Sequence, residues 1–174
     1  MTVEIRSLRQ EDDRSAFRSG DEALDLFFHR YAGQNQFRHH IGVTYVAVEG
    51  TRLVGFVTVS AASVSAEELP TGRRMPPYPV PVLRIARLAV SEGARGLGLG
   101  KALLRFCFEL AERTRDEVGC VGVVVDAKAG AISFYEQFGF VEIQAVEGAA
   151  TAIPRPVAMY LPLGAIPRPR KPAR

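Results

Sequence analysis

Residues 87–104 read Arg87-Leu88-Ala89-Val90-Ser91-Glu92-Gly93-Ala94-Arg95-Gly96-Leu97-Gly98-Leu99-Gly100-Lys101-Ala102-Leu103-Leu104. A β-rich run enters a loop with glycine at alternate positions, and the loop opens an amphipathic helix. The apolar stripe of that helix runs through Leu103, Leu104, Cys107, Leu110 and Ala111. Glycine permits tight backbone turns and leaves no side chain to hold a ligand away. Free N–H groups at the helix start, with the positive end of its dipole, then form a phosphate site. Lys101 can add charge there. A valine at Gly98 or Gly100 is expected to block such an approach. Two other nucleotide loops share this logic and fit less well. A dinucleotide fingerprint needs G-x-G-x-x-G, whereas Gly96, Gly98 and Gly100 alternate strictly. A P-loop needs G-x-x-x-x-G-K-[ST], and here Arg95 replaces its first glycine and Ala102 its metal-binding hydroxyl.

Outward from the loop the pattern is mixed. Upstream, Pro76-Pro77-Tyr78-Pro79-Val80-Pro81 forces an extended connection into a strand over 82–90. Residues 43–48 and 53–60 are β-rich and joined by Glu49-Gly50-Thr51-Arg52, a hairpin by pattern. Over 21–34, Leu24, Phe27, Phe28 and Tyr31 recur at helical spacing, with acids in the first turn. Downstream, the valine run 121–125 suits a strand buried on both faces. A short helix over 130–137 follows, then strands near 140–143 and 158–161. Antiparallel strands followed by β-α-β-α-β predict an α+β fold with one mixed sheet.

The chain has 174 residues, 47% hydrophobic and 24% charged, which is ordinary for one globular domain. That domain is expected over 1–163, followed by a basic, proline-rich and disordered tail over 164–174. No apolar run is long enough to cross a bilayer, and the first residues lack the apolar stretch of a secretory signal, so a cytoplasmic protein is expected. Cys107 and Cys120 give neither a disulfide framework nor a metal-ligand spacing, and both read as buried small hydrophobes. No metal is expected. The net charge is +3, but the tail carries four cations and no acid, leaving 18 cations against 19 acids in the rest. The charge is uneven: Arg73, Arg74, Arg84, Arg87, Arg95, Lys101 and Arg105 face only Glu92 between 69 and 105, or +6. Such a block attracts phosphate or forms a solvated basic face.

Arg95-Gly96-Leu97-Gly98-Leu99-Gly100 resembles the R/Q-x-x-G-x-G/A cofactor loop of the GNAT superfamily of acetyl-CoA-dependent N-acetyltransferases. Ala131-Ile132-Ser133-Phe134-Tyr135-Glu136-Gln137-Phe138-Gly139-Phe140, about 35 residues on, resembles the A-x-x-F-Y-x-x-x-G-F close of that fold. The resemblance implies a central, mostly antiparallel sheet, splayed at the cofactor site and flanked by helices. It implies that Arg95, Gly96, Leu97, Gly98, Leu99, Gly100 and Lys101 hold the acetyl-CoA pyrophosphate. Leu88, Ala89 and Val90 would pair by main chain with its pantetheine arm, and Tyr135 would be the general acid. No carboxylate stands out as a base. His29, His39 and His40 are candidates, but helix-face or surface histidines are the better account of them.

The N-terminal half narrows the resemblance. Phe17-Arg18-Ser19-Gly20-Asp21-Glu22-Ala23-Leu24-Asp25-Leu26-Phe27-Phe28, Thr44-Tyr45-Val46-Ala47, Tyr78-Pro79-Val80-Pro81-Val82 and Asp126-Ala127 are similar to one GNAT branch. That branch contains toxins of toxin–antitoxin pairs that acetylate aminoacyl-tRNA and stop translation. Membership implies a homodimer, a ribbon-helix-helix antitoxin, and tRNA held by surface arginines, here Arg73, Arg74 and Arg87. The other reading is a GNAT enzyme acting on a small-molecule amine or a protein amino group.

Overall fold

The computed structural model describes residues 2–70, 75–144 and 156–165. Seven strands lie in one sheet: β1 Glu4–Ser7, β2 Val43–Glu49, β3 Arg52–Val64, β4 Val80–Val90, β5 Gly122–Ala127, β6 Val141–Glu142 and β7 Val157–Pro162. Their order is β1-β2-β3-β4-β5-β7-β6, and only β4 with β5 is parallel. Gly50, at φ +63°, turns the expected hairpin. Pro81 enters β4 opposite Ser63 as the extended proline run requires. Sequence patterning missed β1, a four-residue edge strand, and stopped β3 four residues short.

The crossover from β4 to β5 is the helix α2, Leu99–Glu117, whose buried stripe contains Leu103, Leu104, Cys107 and Ala111. It packs with the short helix α3, Ile132–Glu136, against Val57, Val59, Ile85, Val123 and Val125. The opposite face of the sheet is covered over β2 and β3 by α1, Glu22–Leu26, and the turns that follow it. There Phe28 stacks on Phe56 with ring centroids 4.3 Å apart, and Phe17 meets both edge-on. Cys107 and Cys120 are buried free thiols, as read from the sequence.

The helix expected over 21–34 needs correction. Asp21 caps α1 by accepting from the backbone N–H of Ala23 and Leu24, but after Leu26 the coil widens into π-type turns over Phe27–Tyr31 and Gln34–His39. Wide turns hold more residues each, so the stripe slips by about one position. Ala32 is 1% exposed in the place assigned to Tyr31, which is 45% exposed. The tail read over 164–174 lies outside the described residues from 166 onward.

One register detail positions the site. β4 pairs with β3 as far as Val90, opposite Gly55, but with β5 only over Leu83, Arg84 and Ile85. Thr58 lies opposite Arg87 and Val59 opposite Ile85, so Ala86 is a bulge residue. Bulges bend the strand that carries them. From Arg87 onward β4 therefore has a strand on one side only.

Close packing on β5 gives a stability prediction. A Cβ at Gly122 would stand 2.6 Å from the Leu161 carbonyl and 2.4 Å from the Tyr160 ring, whose hydroxyl donates to the Val121 carbonyl. Gly122→Ala should destabilise the fold by about 1–3 kcal/mol, the usual cost of overpacking. Urea denaturation checks this, and an unchanged midpoint would contradict it.

Candidate active site

The glycine loop folds as the bridge from β4 to α2. Gly96 and Gly98 sit at φ +78° and +77°, which non-glycine residues rarely adopt. Neither would bring a Cβ near another atom, so their glycines serve backbone conformation rather than space. Gly100 differs: its Cβ would point at Phe134 in ordinary contact, 3.6 Å away. The expected reason for glycine is thus divided between turning at 96 and 98 and openness at 100.

Gly98 is the N-cap of α2 and supplies no side-chain cap, and the first N–H to bond back is that of Ala102, to the Gly98 carbonyl. The N–H groups of Leu99, Gly100 and Lys101 are left for a ligand, as the first turn of any helix leaves them. A cleft of about 240 Å³ opens over them, lined by Val90, Ala94, Arg95, Gly96, Gly98, Leu99, Gly100, Lys101 and Phe134. Leu97 is exposed beside it. Leu88, Ala89 and Val90 pair with Val57, Phe56 and Gly55, and their other main-chain edge faces the gap where β5 has parted. The loop residues and the open strand are brought together as read from the sequence. Arg95 is the partial exception, because its guanidinium donates to the Ser19 carbonyl across the loop.

Tyr135 follows Phe134 on α3 and is 5% exposed, packed edge-on to Phe134 and Phe140. Its hydroxyl bonds to no other described residue, yet among the described residues no fully buried side-chain oxygen lacks a partner. The small exposed fraction therefore includes the hydroxyl. Burial pushes this phenol above the usual tyrosine range, so it keeps its proton at neutral pH. Burial pushes the neighbouring Cys107 thiol up to about 12, which makes it a poor nucleophile.

The histidines stand elsewhere. His29 lies 2.9 Å from the Phe17 carbonyl, while His39 and His40 are exposed at the end of the widened coil. Arg87 lays its guanidinium 3.8 Å over the Phe27 ring, on the α1 face of the sheet. Arg73 and Arg74 lie outside the described residues. Arg84, which the sequence shows only as one charge of the basic block, donates from Nε to Asp126 Oδ2 at 2.9 Å, and its Nη2 reaches the same oxygen. Among the described residues no group of His, Cys, Asp or Glu is placed to hold a metal ion, and no helix is long and apolar enough to cross a membrane.

Residues 40–142 match the family described as acetyltransferase (GNAT) domain. A tRNA-acetylating toxin of Mycobacterium tuberculosis (strain ATCC 25618 / H37Rv) is 33% identical over 137 residues, covering 78% of this chain and 82% of its own. The solved structure of AtaT complexed with acetyl-methionyl-tRNAfMet superposes with a TM-score of 0.82 at 22% identity, over 94% of this chain and 96% of that one. A Tyr-to-Phe mutant of the AtaT toxin, bound to the C-terminus of the antitoxin AtaR and acetyl-CoA, gives 0.74 at 21% identity over 94% of each chain. The two structures share the fold described above.

Proposed function

The chain belongs to the GNAT acetyltransferase family, and from that premise we propose that it acetylates the amino group of aminoacyl-tRNA, arresting translation as a toxin. The observation that carries the acceptor class is the match, over most of both chains, to a tRNA-acetylating toxin. Acetyl-CoA is the acetyl donor of the family and supplies an activated thioester.

The residues present fit that donor. The uncapped N–H groups of α2 and the turned backbone of Gly96 to Lys101 suit a pyrophosphate, with Arg95 and Lys101 adding positive charge. The free edge of Leu88, Ala89 and Val90 suits the amide-bearing pantetheine arm, as an added strand would fit. Main-chain N–H groups on that edge polarise the thioester carbonyl in the manner of an oxyanion hole. Tyr135 holds a proton on the α2–α3 side and gives it to the departing thiolate.

The basic segment supports an anionic acceptor. Arg87 presents a guanidinium on the α1 face, and Arg73 and Arg74 belong to the same run of cations. A homodimer in the cytoplasm, neutralised by a ribbon-helix-helix antitoxin, completes the reading.

Labelled acetyl-CoA incubated with the protein and a pool of charged tRNA tests it, with deacylated tRNA as control. Label on charged tRNA alone is expected. Acetyl-CoA bound without label on tRNA would move the acceptor to a small-molecule amine or a protein amino group.

A further inference from the structure

The α1 face of the sheet is not uniformly apolar. One cluster, containing Phe17, Phe27, Phe28, Val46 and Phe56, lies beneath α1. A second, containing Val64, Val80, Val82, Val124 and Tyr160, lies toward the opposite end of the strands. Between them runs a polar strip. Thr44 on β2 and Thr58 on β3 share a hydrogen bond of 2.7 Å, and Arg87 on β4 stands opposite Thr58. Ser60 stands opposite Arg84, and Arg84 reaches Asp126 on β5. The bulge at Ala86 is what puts Arg84 and Arg87 on one face, since two residues of β4 would otherwise separate onto opposite sides.

Asp126 occupies a particular place in that strip. The last paired residues of β4 and β5 are Ile85 and Val125, so Asp126 is the first β5 residue past the point where the strands part. Both contacts from Arg84 go to Oδ2. Oδ1 accepts no hydrogen bond from another described residue, and among the described residues no fully buried side-chain oxygen is unpartnered, so Oδ1 keeps some exposure. The carboxylate side chain is nevertheless only 17% exposed and held by a guanidinium that is 22% exposed. It is an oriented acceptor at the mouth of the gap.

The cleft over the α2 N-terminus and Tyr135 belong to the other face. A donor seated there and threaded between the strands leaves its acceptor one approach, across the α1 face. A primary amine at neutral pH arrives largely as an ammonium, which needs an oxygen acceptor when it leaves water. We propose that Asp126 Oδ1 binds the amino group of the incoming acceptor, that Arg84 is the positioning residue fixing the carboxylate, and that Arg87 holds the acceptor's nearby phosphate. This rests on the aminoacyl-tRNA reading and deepens it: the site selects a cationic nitrogen beside an anion, which the aminoacylated end of a tRNA presents. Arg84, Arg87 and Asp126 line the same polar strip.

Acetylation of aminoacyl-tRNA by the wild-type enzyme and by Asp126→Asn, with hydroxyacyl-tRNA, whose ester carries a hydroxyl for the amine, as the competing ligand, tests the proposal. Wild type should prefer the amine. Asp126→Asn should raise KM for charged tRNA about tenfold to hundredfold, the worth of a charged hydrogen bond, and lose that preference, with acetyl-CoA affinity unchanged. Asp126→Glu should keep the preference and lower kcat, because the charge remains and its position shifts. An Asn variant that still discriminates as wild type does would overturn the proposal and leave the aminoacyl-tRNA reading intact. Loss of acetyl-CoA binding in both variants would assign the carboxylate to the fold and overturn it too. Wild-type protein that labels no charged tRNA would overturn both.

Discussion

Tyr135→Phe should lower turnover by roughly 10²–10⁴-fold, the usual worth of a placed general acid, while acetyl-CoA affinity stays the same. The argument is one of matched burial. The phenol is desolvated, which raises its pKa and by itself weakens it as an acid. A thiolate expelled into the same pocket is desolvated equally, and its basicity rises for the same reason. Burial raises the thiol of Cys107, packed in the same core, in the same direction. The transfer balances because the phenolate it leaves is reprotonated by the acetylated nitrogen, which sheds a proton as the amide forms, so neither buried group keeps a bare charge. Phenylalanine preserves the packing against Phe134 and Phe140 and removes only the hydroxyl group. Steady-state kinetics with a binding isotherm separates the two effects. An unaltered kcat would remove Tyr135 from the chemistry.

Gly98→Val should reduce acetyl-CoA affinity by at least about a hundredfold. The backbone at Gly98 has φ +77°, and a β-branched residue held there is strained by about 1–3 kcal/mol. The loop relieves that strain by turning φ negative, which swings the N–H groups of Leu99, Gly100 and Lys101 away from a shared focus. Each charge-assisted hydrogen bond to a phosphate is worth about 1.5–3 kcal/mol, so losing two of them accounts for the drop. A Cβ at Gly98 would meet no other atom, so the fold bears only the local backbone strain, and the melting temperature of the free protein should fall by about 2–4 °C for each kcal/mol of it. Gly100→Ala is the control: its Cβ meets Phe134 at ordinary contact distance and φ is unstrained, so binding should persist. Calorimetric titration with acetyl-CoA distinguishes the two variants. Retained affinity in Gly98→Val would mean the phosphates bind elsewhere.

What could be read from the chain beforehand was local chemistry. Gly96 and Gly98 state their own need for unusual dihedrals, and the valines of β5 state their burial, since both properties belong to neighbouring residues. Tyr31 was misplaced because a 3.6-residue period was assumed where the coil widens, and no residue type announces a π-type turn. β1 was invisible because four residues at an edge carry too little pattern, and it forms by pairing with β2, some forty residues away. The polar strip was hidden for a deeper reason. Arg84 and Asp126 are 42 residues apart and meet only through the register of β4 on β5. The bulge at Ala86 that aligns Arg87 with them is a property of pairing with β3, not of the chain near Ala86.

The parting of β4 from β5 also makes an edge in the middle of the sheet. Edge strands are ordinarily shielded at the rim of a fold, because unsatisfied main-chain groups invite any passing strand. Here the invitation faces inward, along the side of β4 that β5 has left. A molecule that completes the row of hydrogen bonds acts as an eighth strand, and its binding free energy adds directly to the free energy of folding. At a ligand concentration a hundred times its dissociation constant, that linkage is worth about 2.7 kcal/mol. Catalytic readiness and mechanical integrity are then the same variable, and a cell rich in the ligand holds a sturdier enzyme than one that is starved of it.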